Sequence, residues 1–148
     1  MITLKTYSEQ NTIEENQKEE IIQFLFEHLD QYGDPQNDIA DAVDYSQGNQ
    51  NKPGGIIVTA TDQDNQKLVG AVVVNKTGMG GYIPENILVY IATDKTVRGQ
   101  GIGKLLMQNA IDSSDGDIAL HCEPENPAMH LYKKLGFTNK YLEMRLKK

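Results

Sequence analysis

A glycine-rich run, Val97-Arg98-Gly99-Gln100-Gly101-Ile102-Gly103-Lys104, follows an apolar stretch, Ile87-Leu88-Val89-Tyr90-Ile91-Ala92. It opens a segment in which Ile102, Leu105, Leu106, Asn109 and Ala110 recur at helical spacing, with only Asn109 polar. The pattern predicts a strand, a tight turn and a helix, in that order. Such a turn suits an anion, above all a phosphate. The first N–H groups of the helix lack intrahelical partners, and the positive end of the helix dipole lies there. Gly99, Gly101 and Gly103 have no Cβ, so the backbone can take left-handed conformations and a ligand can come close. The two commonest nucleotide loops do not fit. The third glycine comes one residue early for a dinucleotide fingerprint. Gly99 and Gly103 are too close for a Walker loop, and Lys104 is followed by Leu105 rather than Ser or Thr.

Arg98-x-x-Gly101-x-Gly103 resembles instead the R/Q-x-x-G-x-G/A pyrophosphate loop of the GNAT family of N-acetyltransferases. Further on, Asn126-Pro127-Ala128-Met129-His130-Leu131-Tyr132-Lys133-Lys134-Leu135-Gly136-Phe137 resembles a second segment of that family, with the family's lysine at Lys134. The resemblance spans roughly residues 85 to 140. It implies an α/β fold with a mixed, mostly antiparallel central sheet flanked by helices, and acetyl-coenzyme A as co-substrate. By the same resemblance, backbone N–H groups from Arg98, Gly99, Gln100, Gly101, Ile102, Gly103 and Lys104 hold the pyrophosphate, with charge from Arg98 and Lys104. Ile91, Ala92 and Thr93 run beside the pantetheine arm, and an N–H near Ala92 or Thr93 faces the thioester oxygen. Asn126 contacts that arm as well as capping a helix, and Tyr132 protonates the departing thiolate. Cap and core roles alone would also account for Asn126 and Tyr132.

Acetyl transfer to an amine also needs a proton acceptor, because an alkylammonium has a pKa near 10.4. Glu85, just before the strand, is one candidate, acting directly or through water. Tyr90 is the other, near where the family often carries a carboxylate. Two other function classes stay open. One is a coenzyme A-binding sensor without catalysis; the other is an acyltransferase with a different acyl group or acceptor.

Composition narrows the partners. The formal net charge is −7, with no basic cluster, which argues against nucleic acid. A chain of 148 residues fits a single domain, 1–148. Cys122 stands alone, so no intrachain disulfide forms. His121 beside it would point to the opposite face of a strand, so the two do not pair. His28, His121 and His130 lack metal-ligand spacing, and no metal is expected. No apolar run is long enough for a membrane span, and no signal-peptide layout precedes the first strand. The expected location is the cytoplasm. The acceptor is expected to be a small-molecule or peptide amine, and a homodimer is compatible with the family. Asp30, Asp34, Asp38, Asp41 and Asp44 read as a solvated face, but the resemblance places the first two helices over the acceptor pocket, where they would favour a cationic amine; the loop Thr77–Tyr82 is either a surface loop or a wall with Met79 and Tyr82 as apolar contacts.

The remaining pattern gives the order β-α-α-β-β-β-α-β-α-β. A strand over residues 2–7 precedes a helix opened by the capping box Thr12-Ile13-Glu14-Glu15, with Ile21, Ile22, Leu25, Phe26 and Leu29 on one face. Asp34 and Pro35 are expected as N-cap and first residue of a second helix. A hairpin turns around Asp62–Gln66, a strand covers 117–122, Asn126 caps a helix, and a last strand region runs from Phe137 through Met144 and Leu146.

Overall fold

The computed structural model describes residues 1–148. Its centre is dictated by Val69-Gly70-Ala71-Val72-Val73-Val74, an apolar run with no polar alternation, which must be covered on both faces. This run forms β3 (Lys67–Lys76), flanked by β2 (Gly55–Asp62) and β4 (Asn86–Thr93), both antiparallel to it. β1 (Ile2–Tyr7) pairs antiparallel with β2, and β5 (Ile118–Leu120) pairs parallel with β4. The sheet order is therefore β1-β2-β3-β4-β5, mixed and mostly antiparallel.

Helices cover both faces. Against one lie α1 (Glu15–Leu29) and α2 (Gln36–Ser46), whose Ile21, Leu25, Ile39 and Val43 pack on Ile57, Ala71, Val73 and Tyr90. Against the other lie α3 (Ile102–Ser113) and α4 (Met129–Lys134), whose Ile102, Leu106, Met107 and Tyr132 pack on Val58, Val72, Val74 and Leu88. Gly70 is small because α3 presses on it: a Cβ there would stand 2.7 Å from Leu106 Cδ1.

One irregularity in β4 matters for function. The register with β3 shifts between Val73, opposite Tyr90, and Val74, opposite Leu88, which leaves Val89 as an extra residue. Such a bulge reverses the alternation of the strand. Leu88 faces α3, yet Tyr90 and Ala92 face α1 and α2. In an unbroken strand all three would share a face.

Several expectations are corrected. The last strand is absent: no backbone hydrogen bond involves the chain beyond Phe137, and Tyr141, Leu142, Met144 and Leu146 are exposed. Their alternation with Glu143 and Arg145 favours an extended chain, but a strand also needs an edge to pair with. Thr12 does not cap α1, which starts at Glu15. The nearby Ile13 N–H donates instead to Gln47 Oε1 at 2.8 Å, tying the entry of α1 to the end of α2. Asp34 is not the side-chain cap of α2, because its carboxylate is taken by Tyr90. In α3 the buried arc is Ile102, Leu106, Met107 and Ala110, while Leu105 is 48% exposed. The strand expected over 117–122 shrinks to Ile118–Leu120. No helix is long and apolar enough to cross a membrane.

Candidate active site

β4 and β5 are paired only along Asn86–Leu88. Beyond the bulge, Val89–Thr93 keeps β3 on one side and has an open edge on the other. Which backbone groups face that edge follows from the ladder. Asp94 N–H donates to Val69 O, so residues two apart from Asp94 also turn their groups to β3. Ala92 is therefore committed to the ladder. Ile91 and Thr93 direct their N–H groups to the open side, which selects Thr93 over Ala92 among the two expected donors.

The chain leaves the edge through a built turn. Asp94 is buried, and its carboxylate accepts from Thr96 N–H at 2.8 Å and Thr96 Oγ1 at 2.7 Å, capping a 3-10 turn over Lys95–Val97. The Thr96 N–H, then its hydroxyl, hold the Asp94 carboxyl well below the usual carboxylate range; Lys67 Nζ, 3.1 Å away, adds to this. Gly99 and Gly101 then take φ of +84° and +81°, and a Cβ at either would meet nothing within 4 Å. The glycines are thus required by conformation, and the space above them is free.

α3 starts at once, with Leu105 N–H donating to Gly101 O as its first bond. The N–H groups of Ile102, Gly103 and Lys104 precede that bond and have no partner within the helix. Ile102 is buried and pins the first turn to the sheet. Gly99, Gln100, Gly101 and Lys104 are exposed around it. Gly103 lies where three elements meet: a Cβ there would be 3.4 Å from Leu131 Cδ2 and 4.0 Å from Thr93 Cγ2. Left-handed glycines, unspent N–H groups, the cations Arg98 and Lys104 and an open strand edge match the needs of a pyrophosphate with an amide-bearing arm.

α4 brings Tyr132 to this side of the sheet. Its ring is buried and meets Phe137 edge-on at 6.0 Å between centroids. Burial, with a smaller effect of Cys122, pushes its hydroxyl up to about 12. A phenol so placed stays protonated throughout the neutral range. Asn126 Oδ1 accepts from Ala128 N–H at 2.9 Å in the turn ahead of α4, but α4 begins only at Met129 with Ala128 at its N-cap and no side-chain cap, so Asn126 is not the expected helix cap. Cys122 is half-buried, with its thiol pushed up by burial.

Of the two candidate proton acceptors, Glu85 lies away from this junction. Glu85 Oε1 accepts from Asp117 N–H at 2.9 Å, which lowers its pKa and fastens the start of β4 to the turn before β5. It lines a groove of ≈ 540 Å³ with Met79, Asn86 and Asp115, at the opposite end of β4 from the glycine loop. A second groove, ≈ 790 Å³, lies beside α1 and is lined by Phe24, His28, Lys67 and Asp94. Neither groove includes Arg98–Lys104 or Tyr132. Tyr90 does stand at the open stretch of β4. Its hydroxyl donates to Asp34 Oδ2 at 2.6 Å, and burial followed by Asp34 raises its pKa, so it holds its proton rather than accepting one.

Asp94 was legible as an Asp-x-Thr turn signature and was missed as an anchor. His28, whose Nδ1 accepts from Lys95 N–H at 3.3 Å, gave no local signal.

The geometry has counterparts. Residues 53–139 match the acetyltransferase (GNAT) domain family. No curated protein sequence matches significantly. Among solved structures, a GNAT-family acetyltransferase from Streptococcus pneumoniae TIGR4 is 19% identical, with TM-score 0.69 over 100% of this chain and 98% of that one. A ribosomal-protein-alanine N-acetyltransferase from Brucella melitensis biovar Abortus 2308 is 13% identical, with TM-score 0.70 over 100% of both chains. The aminoglycoside N-acetyltransferase AAC(6')-Iy, in complex with coenzyme A, is 13% identical, with TM-score 0.70 over 100% of this chain and 95% of that one. At these identities the likeness is one of fold.

Proposed function

The chain belongs to the GNAT acetyltransferase family, and we propose that it moves an acetyl group from acetyl-coenzyme A to a primary amine of a small molecule, by direct attack in a ternary complex. The observation that carries this reading is the junction at Gly103, where the open edge of β4, the first turn of α3 and α4 converge. Acetyl-coenzyme A, the co-substrate of this family, supplies an activated thioester carbon when bound.

The chain's own residues supply the rest. The N–H groups of Ile102, Gly103 and Lys104 receive the pyrophosphate, helped by the helix dipole. Thr93 N–H, or Ile91 N–H, faces the thioester oxygen; a donor of this kind is typically worth about 3 kcal/mol in the transition state. Tyr132 gives its proton to the departing sulfur. Its raised pKa keeps that proton available, and its low exposure excludes competing water. Asn126 keeps α4, and hence Tyr132, in register with the loop. A half-buried Cys122 with a raised pKa is a poor nucleophile, which favours direct attack over a covalent acyl-enzyme. The relatives in fold include acetyltransferases named for an aminoglycoside and for a protein alanine, which supports an amine as acceptor.

The test is a screen of amines, amino acids, aminoglycosides and short peptides for acetyl-dependent release of the coenzyme A thiol. Release with a small primary amine is the expected result. Release with a hydroxyl acceptor alone, or only with a longer acyl thioester, contradicts the reading.

A further inference from the structure

The ≈ 540 Å³ groove at the start of β4 lies apart from the glycine loop and takes no part in the transfer proposed above. One of its walls is Asn86, which is only 4% exposed. Asn86 Nδ2 donates to the carbonyls of Asp115 and Asp117, at 2.7 and 3.2 Å. Its Oδ1 accepts from no group of the chain. The one side-chain polar atom both sealed from solvent and unpartnered is Asn75 Oδ1. Asn86 Oδ1 is therefore reached from outside, and the groove that Asn86 lines is the opening. An amide oxygen of so buried a residue is satisfied only by a donor that enters there.

The hydroxyls of the groove have already spent their protons. Thr6 and Ser113 donate to Asn109 Oδ1, Ser114 to Ala110 O and Ser8 to Gln10 Oε1. What remains on them is lone pairs. Ser113 closes α3, and its carbonyl accepts from no N–H of the chain, so the negative pole of the helix is unspent here. Glu9, Glu85 and Asp115 bring carboxylates from three separate loops, and every ion pair of the chain lies elsewhere. Lys76 is the one cation in the wall. The lining thus asks for N–H donors and positive charge. No group of three His, Cys, Asp or Glu side chains converges closely enough to hold a metal ion. The charge must therefore come from several centres set apart. We propose that this groove is a second binding site, for a linear polyamine, whose ammonium groups donate to Asn86 Oδ1 and to the carboxylates of Glu9 and Asp115 while its methylenes run over Val74 and Met79. The site does not depend on acetyl transfer.

Calorimetric titration with spermidine tests it, at physiological ionic strength, where diffuse attraction between exposed charges is screened. Hexamethonium, with two charges and no N–H, and Mg²⁺ are the comparison probes. Glu9→Gln and Asp115→Asn each remove a charge from an exposed side chain and keep its shape. Spermidine is expected to bind wild type more tightly than either comparison probe. Each variant should weaken it about 10-fold, the scale of a hydrogen bond to a charged group, with Tm and acetyl-coenzyme A affinity unchanged. The side-chain amide signal of Asn86 should move in NMR spectra as spermidine saturates the protein. Three results overturn the proposal: no binding of spermidine to wild type, binding that survives both substitutions together or is matched by hexamethonium, and binding that leaves the Asn86 signal in place. Acetyl-coenzyme A affinity, read on the same samples, reports separately on the proposed function.

Discussion

Arg98 donates from Nη2 to the main-chain carbonyl of His28 at 3.0 Å, so the residue that opens the glycine loop is fastened to the last turn of α1. The bond places a guanidinium on the unsatisfied carbonyl end of a helix, where both hydrogen bonding and the dipole favour a cation. Lys95 reinforces the link. Its N–H reaches His28 Nδ1 at 3.3 Å, and its ammonium lies 3.3 Å from Asp30 Oδ2. The helix on the proposed acceptor side and the loop on the proposed cofactor side are therefore joined by side chains as well as by the sheet.

Arg98→Ala should loosen both. A cation at a helix C-terminus contributes about 0.3–1 kcal/mol, so a modest fall in Tm is expected, together with weaker acetyl-coenzyme A binding by calorimetry. Arg98→Lys should restore part of the loss, because the charge is kept and the contact is a single hydrogen bond from Nη2. Unchanged Tm and affinity in Arg98→Ala would show that the link is idle.

Tyr132→Phe should keep the ring against Phe137 and lose only the hydroxyl. Groups that move a proton in the transition state typically contribute about 10²–10⁴-fold. A fall of that size in kcat is expected, with acetyl-coenzyme A affinity preserved. If kcat stays near wild type under conditions where product release is not limiting, Tyr132 serves only the core.

The same hydroxyl makes an alkaline prediction. Its pKa is about 12 in the folded chain and 10.0 when unperturbed. Below pH 10 both states keep the proton. Between about 10 and 12 the unfolded chain ionises first and gains, so folding stability falls with rising pH, by about 2–3 kcal/mol in all. Tyr90 shifts in the same direction. Urea unfolding at pH 9 and pH 11 should show about half of this loss, roughly 1.4 kcal/mol, in wild type from Tyr132 and a smaller total loss in Tyr132→Phe. Equal losses in the two proteins would contradict it.

What was legible in the sequence was local chemistry. Gly99 and Gly101 announce left-handed backbone by their type, and both take it. The unbroken valine run of β3 announces a strand buried on both faces. What was illegible depends on partners distant in the chain. Nothing around Val89 marks it as the extra residue, so the face of Tyr90 could not be read. Nor could its partner Asp34, 56 residues away. Leu105 and Met107 are both apolar, and only the docking of α3 decides that Met107 is buried and Leu105 exposed. The tail from Thr138 onward has the alternation of a strand and no edge to join.

The central claim is that the turn from β4 into α3 holds acetyl-coenzyme A. Calorimetric titration of wild type and Gly101→Glu tests it most directly. The substitution places a side chain and a negative charge where the phosphates would approach, at a residue whose φ of +81° suits glycine. A loss of about 1–2 kcal/mol of fold stability from that backbone strain is expected, so the variant is first checked for a cooperative unfolding transition. The account predicts that wild type binds acetyl-coenzyme A and gains Tm with it, as ligand linkage requires, while folded Gly101→Glu shows no measurable binding. Undiminished affinity in the folded variant would contradict it.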